Sequence, residues 1–262
     1  MSMSEKVNFP GSMPTGSTLD YLLDVSERRG AGYLTLLDPD KLSVDELHKR
    51  AILCADTGAD AILVGTSLML SAARNEALFE RLRSDLHIPV ISFPGDAGQV
   101  VGCADAILFL SMLSGRNAEL LIGQQVRAAP LIRECGIEAI ATAYMLVESG
   151  SLTSTEYMSS TRPIPRAKND IAMAHALAAE YLGMKLVYLE TGSGARESVP
   201  DEMVRATVDY ISLPVIVGGG IREPAAARAK VDAGASFVVT GTAVEVDPAH
   251  LRELSAAVHV RK

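Results

Sequence analysis

The 262-residue sequence contains no tryptophan, and aromatic residues make up only 5% of it. Proteins that bind single-stranded nucleic acid stack bases on aromatic side chains, so this scarcity argues against that class. The formal net charge of −8 points the same way, because phosphate backbones attract basic surfaces. A small phosphorylated ligand remains compatible with the chain, since backbone N–H groups as well as side-chain charges bind such ligands.

Cysteine is also scarce, and no long apolar run is present. Cys54, Cys103 and Cys135 are far apart and form no C-x-x-C pair, which favours buried thiols in a reducing compartment over a metal or redox site. Residues 1–17 are polar and lack the apolar core of a secretory signal. No apolar run is long enough to cross a bilayer. We therefore expect a cytoplasmic protein with no transmembrane segment and no nucleic-acid partner.

Eight apolar, β-branched runs alternate with helical patterns from Gly32 onward. Continuous apolar runs are typical of parallel strands covered on both faces. Eight such units in a chain of this length favour an α/β fold, the TIM (β/α)8 barrel of about 250 residues, with an open doubly wound sheet as the alternative. We assign one domain to residues 1–262, with a polar extension over 1–30 and the barrel over 32–258. The predicted strands are 32–38, 61–66, 89–94, 106–111, 138–147, 186–191, 214–219 and 237–242.

The connections between the strands are less uniform. Helices are predicted over 43–58, where Ser43 and Glu46 form a capping-box pattern, and over 224–234. Residues 97–105 leave no room for a full helix, so one barrel helix is expected to be missing or degraded. Residues 148–170 form a long Ser/Thr-rich connection at the carboxyl end of the fifth strand, where it is either a lid or an ordered insertion.

Glycine clusters follow the last three predicted strands, as GSG (192–194), GGG (218–220) and TGT (240–242). Glycine there lets the backbone approach a ligand and leaves N–H groups free to bind an anion. Each cluster alone is equally explained by a tight turn. Three at consecutive strand ends favour a phosphate site, as in many barrels of this fold.

Carboxylates and hydroxyls occupy other strand ends. Asp38 and Asp40 follow the first strand and Ser67 follows the second, a set of oxygens that suits Mg²⁺, although Asp40 alone is explained by a turn cap. Glu190 stands at an apolar strand end, where burial raises its pKa toward that of a general base. The alternative for Glu190 is a structural ion pair with Arg166 or Lys185. Tyr188 and Tyr144 either orient a substrate hydroxyl or only pack in the core.

The histidines fall in predicted helices and connecting turns, and no metalloprotease, Ser/His/Asp or Walker A pattern is present. The prediction is that His48, His87, His175, His250 and His259 take no part in the chemistry.

Several motifs together resemble one family. In chain order these motifs are LTLLDPDK (34–41), VGTS (64–67), FPGD (93–96), SGRN (114–117), RPIPRAK (162–168), YLETGSGA (188–195), VGGGIRE (217–223) and TGTAVE (240–245). Their order and spacing resemble the geranylgeranylglyceryl phosphate synthase/PcrB family of prenyltransferases, in particular its second, partly bacterial group.

The resemblance implies Mg²⁺-dependent transfer of a prenyl group, most often geranylgeranyl, from its diphosphate to the sn-3 hydroxyl of sn-glycerol 1-phosphate. Glu190 would take the hydroxyl proton beside Tyr188, and Asp38 and Ser67 would hold Mg²⁺. It also implies a homo-oligomer. The residues implied to bind glycerol phosphate are Tyr188, Leu189, Glu190, Thr191, Gly192, Ser193, Gly194, Gly219, Gly220, Gly241 and Thr242.

Three positions depart from the family pattern: Thr191 replaces the usual Ala, Thr66 replaces a frequent Gly, and Ser149 occupies a turn that tolerates Pro. Two other enzyme functions stay open, namely prenyl transfer to 3-phosphoglycerate in antibiotic biosynthesis and a barrel phosphosugar isomerase or synthase. A flavin- or phosphate-binding barrel without catalysis is the non-enzymatic alternative.

Overall fold

Eight parallel strands close into a barrel in the computed structural model, which describes residues 17–66, 72–241 and 248–261. The strands follow one another in sequence order, and β8 pairs with β1, with Thr240 opposite Thr35. The TIM-barrel prediction is confirmed, and each predicted strand coincides with an observed one. The strands are β1 Gly32–Leu37, β2 Ala61–Val64, β3 Val90–Ser92, β4 Ala106–Met112, β5 Glu138–Leu146, β6 Leu186–Glu190, β7 Val215–Gly218 and β8 Phe237–Thr240.

Nine α-helices lie in the described part of the chain. The predicted capping box at the start of α2 is present, since Ser43 Oγ accepts from Glu46 N–H and the Glu46 carboxylate accepts from Ser43 N–H. None of these helices is long and apolar enough to span a bilayer. The helices are α1 Thr18–Arg29, α2 Val44–Asp56, α3 Ala72–Asp85, α4 Gln124–Cys135, α5 Ser154–Ser159, α6 Asn169–Tyr181, α7 Asp201–Val208, α8 Pro224–Asp232 and α9 Pro248–Val258.

The connection between β3 and β4 contains only a three-residue 3₁₀ helix, Ala97–Gln99, where the fold usually has an α-helix. The Asp96 carboxylate caps this turn by accepting from Gly98 N–H at 2.7 Å. The degraded barrel helix expected from the sequence is therefore found here. After β4 the chain makes a π-helical turn, Glu119–Gly123, before α4.

Helix α1 was not expected, because residues 1–30 were assigned to a polar extension. Ser17 caps the helix, and its apolar face buries Leu22 and Val25. Leu22 packs against the inward-facing residues of the strands. The polar composition of α1 reflects its exposed face, whereas its buried face closes the amino end of the barrel.

The core has two layers on either side of the strands. The inner layer fills the barrel with alternating strand residues such as Leu34, Leu63, Ile91 and Phe237. The outer layer lies between the strands and the helices. The expectation of buried thiols holds only for Cys54, since Cys103 is half-buried and Cys135 is exposed.

A buried carboxylate ties the two described ends of the chain together at the amino end of the barrel. Asp60 Oδ1 accepts from Arg29 Nη1 of α1 at 2.8 Å, and Asp60 Oδ2 lies 2.8 Å from His259 Nε2, just beyond α9. The same Oδ2 accepts from Tyr33 N–H at 2.8 Å. One side chain thus links α1, β1 and the end of α9.

Candidate active site

A cavity of about 400 Å³ opens among the carboxyl ends of the strands. The structure brings to this one cavity most of the residues that the sequence suggested, from both sides of the barrel mouth. Leu189 instead faces the outer layer of the core, and the Thr191 side chain is buried. Ser67 and Thr242 lie outside the described residues. The predicted residues that line the cavity are Asp38, Tyr188, Glu190, Gly192, Ser193, Gly194, Gly219, Gly220 and Gly241.

Glu190 ends β6 with its carboxylate in the cavity wall, and the side chain is 5% exposed. Its Oε1 accepts from Gly192 N–H at 2.6 Å. Arg166 forms an ion pair with Glu197 instead, and no ion pair joins Lys185 to Glu190 among the described residues. The structural ion-pair alternative is therefore wrong.

Burial raises the pKa of Glu190 from 4.5 to about 7, because little water is left to solvate the carboxylate. The Gly192 N–H bond, the Tyr188 hydroxyl and the Thr191 N–H oppose this rise. A carboxyl group with a pKa near neutrality exists in both protonation states at physiological pH. It can therefore accept and release a proton during catalysis.

Three aromatic rings stand beside this carboxylate. Phe93 and Tyr188 are stacked with centroids 5.5 Å apart, and Tyr144 lies 5.5 Å from Tyr188. Burial, followed by the nearby Glu190 charge, raises the pKa of both tyrosines well above 10, so both hydroxyls stay protonated. The Tyr188 hydroxyl has no well-formed hydrogen bond to any described residue. The tyrosines thus present neutral ring faces to the cavity, and the Tyr188 hydroxyl lies close enough to the Glu190 carboxylate to lower its pKa.

The glycine turns after β6 and β7 adopt conformations that L side chains rarely take. Gly219 has φ +79° and Gly220 has φ +67°, and a Cβ on Gly220 would lie 2.7 Å from the backbone carbon of Glu197. Within the described residues, the N–H groups of Ser193, Gly194, Gly219 and Gly220 donate to no protein acceptor. Four free amides from two adjoining turns form a nest suited to an anion.

The opposite side of the mouth carries oxygen ligands. Asp38 Oδ1 accepts from Asp40 N–H at 3.0 Å, so Asp38 rather than Asp40 caps the turn. Asp40 Oδ2 accepts from the Thr66 hydroxyl at 3.0 Å, and Lys41 Nζ lies 3.9 Å from Asp38 Oδ2. In the described part of the chain, no group of three or more His, Cys, Asp or Glu side chains is arranged to hold a metal. The donors present, few and all oxygen, are the kind that Mg²⁺ takes together with a diphosphate and water.

Between these two sides the cavity wall becomes apolar. It includes Leu108 and Leu110 on the inner face of β4, and also Ile107 and Phe109 on the outer face, which pack toward α4. Ala97 and Val100 complete this part of the wall where the full helix is missing. Sequence reasoning did not identify this apolar arm, because core and ligand-lining side chains have the same composition.

The long connection after β5 contributes residues to the wall of the cavity. Val147 pairs with Ile164 in a short parallel bridge, and α5 lies between them. Thr155, Met158 and Ser159 of this helix line the cavity. Sequence reasoning also missed Arg222, which lines the cavity and whose carbonyl oxygen lies 2.7 Å from His250 Nε2. His250 is thus closer to the site than was expected.

The chain matches the family model of the PcrB family over residues 23–258, and it belongs to that family. Geranylgeranylglyceryl phosphate synthase of Chitinophaga pinensis is 41% identical over 87% of this chain and 90% of its own length. The enzyme of the same name from Pyrococcus horikoshii is 40% identical over 90% and 91%.

Solved structures agree with this assignment. The (S)-3-O-geranylgeranylglyceryl phosphate synthase of Thermoplasma acidophilum, in complex with its substrate sn-glycerol 1-phosphate, superimposes with a TM-score of 0.89 at 33% identity. The match covers 94% of this chain and 99% of that one. The chain is accordingly an enzyme, a prenyltransferase of the geranylgeranylglyceryl phosphate synthase type.

Proposed function

We propose that this enzyme transfers a prenyl group, geranylgeranyl by the names of its relatives, to the sn-3 hydroxyl of sn-glycerol 1-phosphate, forming the first ether bond of archaeal-type lipids. The observation that carries the proposal is the position of Glu190. Its buried carboxylate, with a pKa near 7, stands between a nest of free amides and an apolar arm. This is where a base must lie if a phosphorylated alcohol is to attack an apolar electrophile.

In the reaction, Glu190 takes the proton of the sn-3 hydroxyl as its oxygen forms a bond to C1 of the prenyl chain. The C1–oxygen bond to the diphosphate breaks, and its electron pair leaves with the diphosphate. Positive charge develops on the allylic carbons during this exchange. The faces of Phe93, Tyr144 and Tyr188 are placed to stabilise it by cation–π attraction.

The turns after β6 and β7 would hold the acceptor's phosphate through the amides of Ser193, Gly194, Gly219 and Gly220. Gly241 lines the same cavity, and Thr242 is proposed beside it. Leu189 and Thr191 would contribute through their backbone, since their side chains face the protein interior. The acceptor is thereby held with its hydroxyl toward Glu190.

Mg²⁺ is proposed as the cofactor, held by Asp38 and Ser67. When bound, it would supply positive charge to the departing diphosphate. The oxygen donors around Asp38 fit this ion, and they lie across the mouth from the phosphate turns.

We also propose that the enzyme is a cytoplasmic homo-oligomer. Ile122, Val126 and Leu131 expose much of their surface along the π-helical turn and α4. Ile122 and Val126 are four residues apart and lie on one face of this helical segment, where they form a candidate contact between subunits. Light scattering coupled to size-exclusion chromatography decides between this proposal and a monomer.

The decisive experiment incubates the protein and Mg²⁺ with prenyl diphosphates of several lengths and three acceptors, namely sn-glycerol 1-phosphate, sn-glycerol 3-phosphate and 3-phosphoglycerate. Mass spectrometry detects the ether product. We expect a prenyl ether with sn-glycerol 1-phosphate. If an ether forms only with 3-phosphoglycerate, that compound is the acceptor in place of sn-glycerol 1-phosphate. If no combination of prenyl diphosphate and acceptor gives an ether, prenyl transfer is refuted.

A further inference from the structure

The segment 192–200, which joins β6 to α7, has no regular secondary structure although it forms a wall of the cavity. Three cationic side chains from three separate elements donate to its carbonyl oxygens. Arg222 Nη2 reaches Ala195 O at 2.7 Å, Arg166 Nη1 reaches Ser198 O at 2.8 Å, and Lys230 Nζ reaches Val199 O at 2.6 Å. Charge-assisted hydrogen bonds of this kind are the strong ones.

The turn that carries the free amides is held at both ends, and Arg222 supplies the side-chain contact at one of them. On one side, Gly192 N–H is bonded to Glu190. On the other side, the Ala195 carbonyl is bonded to Arg222, and Ala195 N–H closes the turn onto Gly192 O at 3.2 Å. The amides of Ser193 and Gly194 lie between these two fixed points. Loss of the Arg222 bond would leave that end of the turn held by the Ala195 N–H bond to Gly192 O, without the charged side chain that fixes the carbonyl.

The three cations differ in how their charge is compensated. Arg166 pairs with Glu197, and Lys230 pairs with Asp201. Across the described residues, no carboxylate lies within ion-pair distance of Arg222, which is exposed and lines the cavity. Among the described residues, Arg222 is the one of these three cations that has no carboxylate partner, and it lies at the rim of the amide nest.

We propose that Arg222 is the positioning residue of the phosphate site. It fixes the Ala195 end of the turn so that the Ser193 and Gly194 amides face the acceptor's phosphate, and its charge favours the dianion. Arg166 and Lys230 hold the rest of the segment in place. This inference rests on the proposed function, since it assigns the phosphate to the acceptor.

The test compares Arg222→Met and Arg222→Lys with Arg228→Met, a matched control that removes an exposed arginine paired with Asp232. Calorimetry measures the Kd of inorganic phosphate and of sn-glycerol 1-phosphate without prenyl diphosphate, and steady-state assays measure the KM of each substrate. For Arg222→Met we expect a rise of about tenfold or more in both Kd values and in the KM of glycerol phosphate. The KM of prenyl diphosphate should stay within about twofold of the wild type.

Arg222→Lys keeps the charge and one donor, so its values should lie between those of the wild type and Arg222→Met, and Arg228→Met should match the wild type. A folded Arg222→Met with unchanged phosphate Kd overturns the proposal, as do equal rises in both KM values. If Arg222→Met does not fold, Arg222→Lys decides: the proposal stands if its phosphate Kd rises and is overturned if that Kd is unchanged.

Failure of the proposed function gives a different result. Wild-type protein that binds phosphate but forms no ether refutes prenyl transfer, while the effect of Arg222 on the phosphate Kd still tests the positioning role.

Discussion

At the scale of the residue, Glu190 combines a catalytic requirement with a cost in stability. Its carboxylate must be charged to accept a proton, yet it lies where charge is poorly solvated. The Gly192 N–H bond offsets part of this cost and at the same time shapes the phosphate turn. The hydrogen bond from Gly192 N–H to Glu190 therefore serves two purposes: it stabilises the charged form of the base, and it fixes one end of the phosphate turn.

Replacement of Glu190 by glutamine should lower kcat by about 10²–10⁴-fold, because the amide cannot act as a base. Binding of sn-glycerol 1-phosphate should persist, since Gln Oε1 still accepts from Gly192 N–H. Stopped assays and calorimetry measure the two effects. Glu119→Gln, which alters an exposed ion pair with Arg127, serves as the control. Wild-type turnover in Glu190→Gln would remove this residue from the mechanism.

The pH dependence of activity follows from the same pKa. The base works only when deprotonated, so kcat/KM should rise with pH through about 7 and level off above it. At pH 6 the value should be about tenfold below the plateau. A profile already flat between pH 5 and 8 would contradict this assignment.

The free energy of unfolding should fall as pH rises, whereas kcat/KM increases. A carboxyl whose pKa rises from 4.5 to about 7 on folding stabilises the protein below the lower value and loses that contribution as pH rises through the higher one. At pH 8, Glu190→Gln should therefore be more stable than the wild type by about 3 kcal/mol, and at pH 4 the two should be nearly equal. Urea unfolding at the two pH values measures the difference.

At the scale of the element, the site depends on the contact between two turns. The turn after β7 packs directly on segment 192–200, where Gly220 meets the backbone of Glu197 and Ser198. Backbone cannot move aside as a flexible side chain can. The two phosphate turns therefore hold their relative positions only while this glycine lacks a Cβ.

Gly220→Ala should raise the KM of glycerol phosphate by at least about tenfold, because the new methyl group would push the turns apart. Gly183→Ala is the matched control, with φ +77° but nothing within 4 Å of its Cβ position. It should cost about 1 kcal/mol of stability and leave the KM unchanged. Equal KM values in the two variants would show that the close contact is unimportant.

The sequence predicts those parts of the site that have a compositional signal. Residue types that are rare at such positions can be recognised without the fold. The glycine clusters at strand ends and the carboxylate of Glu190 within an apolar run are of this kind. Arg222 acts on backbone carbonyls, which every residue has, and so no pattern predicts its partner. The apolar arm is likewise hidden, because Ile107 and Phe109 look like ordinary core residues.

At the scale of the whole molecule, the two ends of the barrel have different roles: one end carries the catalytic cavity, and the other carries contacts that stabilise the fold. The carboxyl end holds the cavity, whereas the amino end holds Asp60 and its partners Arg29 and His259. Regular alternation of strands and helices predicted this architecture. It did not predict α1, since a helix with one narrow buried face has a polar composition overall.

Asp60→Asn should destabilise the protein by about 3 kcal/mol, because it removes the charge that Arg29 and His259 share in a buried setting. The kcat and KM of the folded variant should stay within about twofold of the wild type, since conserved chemistry in this fold belongs to the opposite end. Thermal unfolding and steady-state assays measure the two effects. A loss of kcat without a loss of stability would contradict this division.

The link between α1 and the region after α9 has a practical consequence. Arg261 N–H donates to Arg29 O at 3.0 Å, so the last described residues are fastened at the amino end of the barrel, opposite the cavity. An enzyme anchored to a solid support through the amino end of the barrel, for example beside Arg261, would therefore present its catalytic face to the medium. Immobilisation in that orientation should leave both substrates free access.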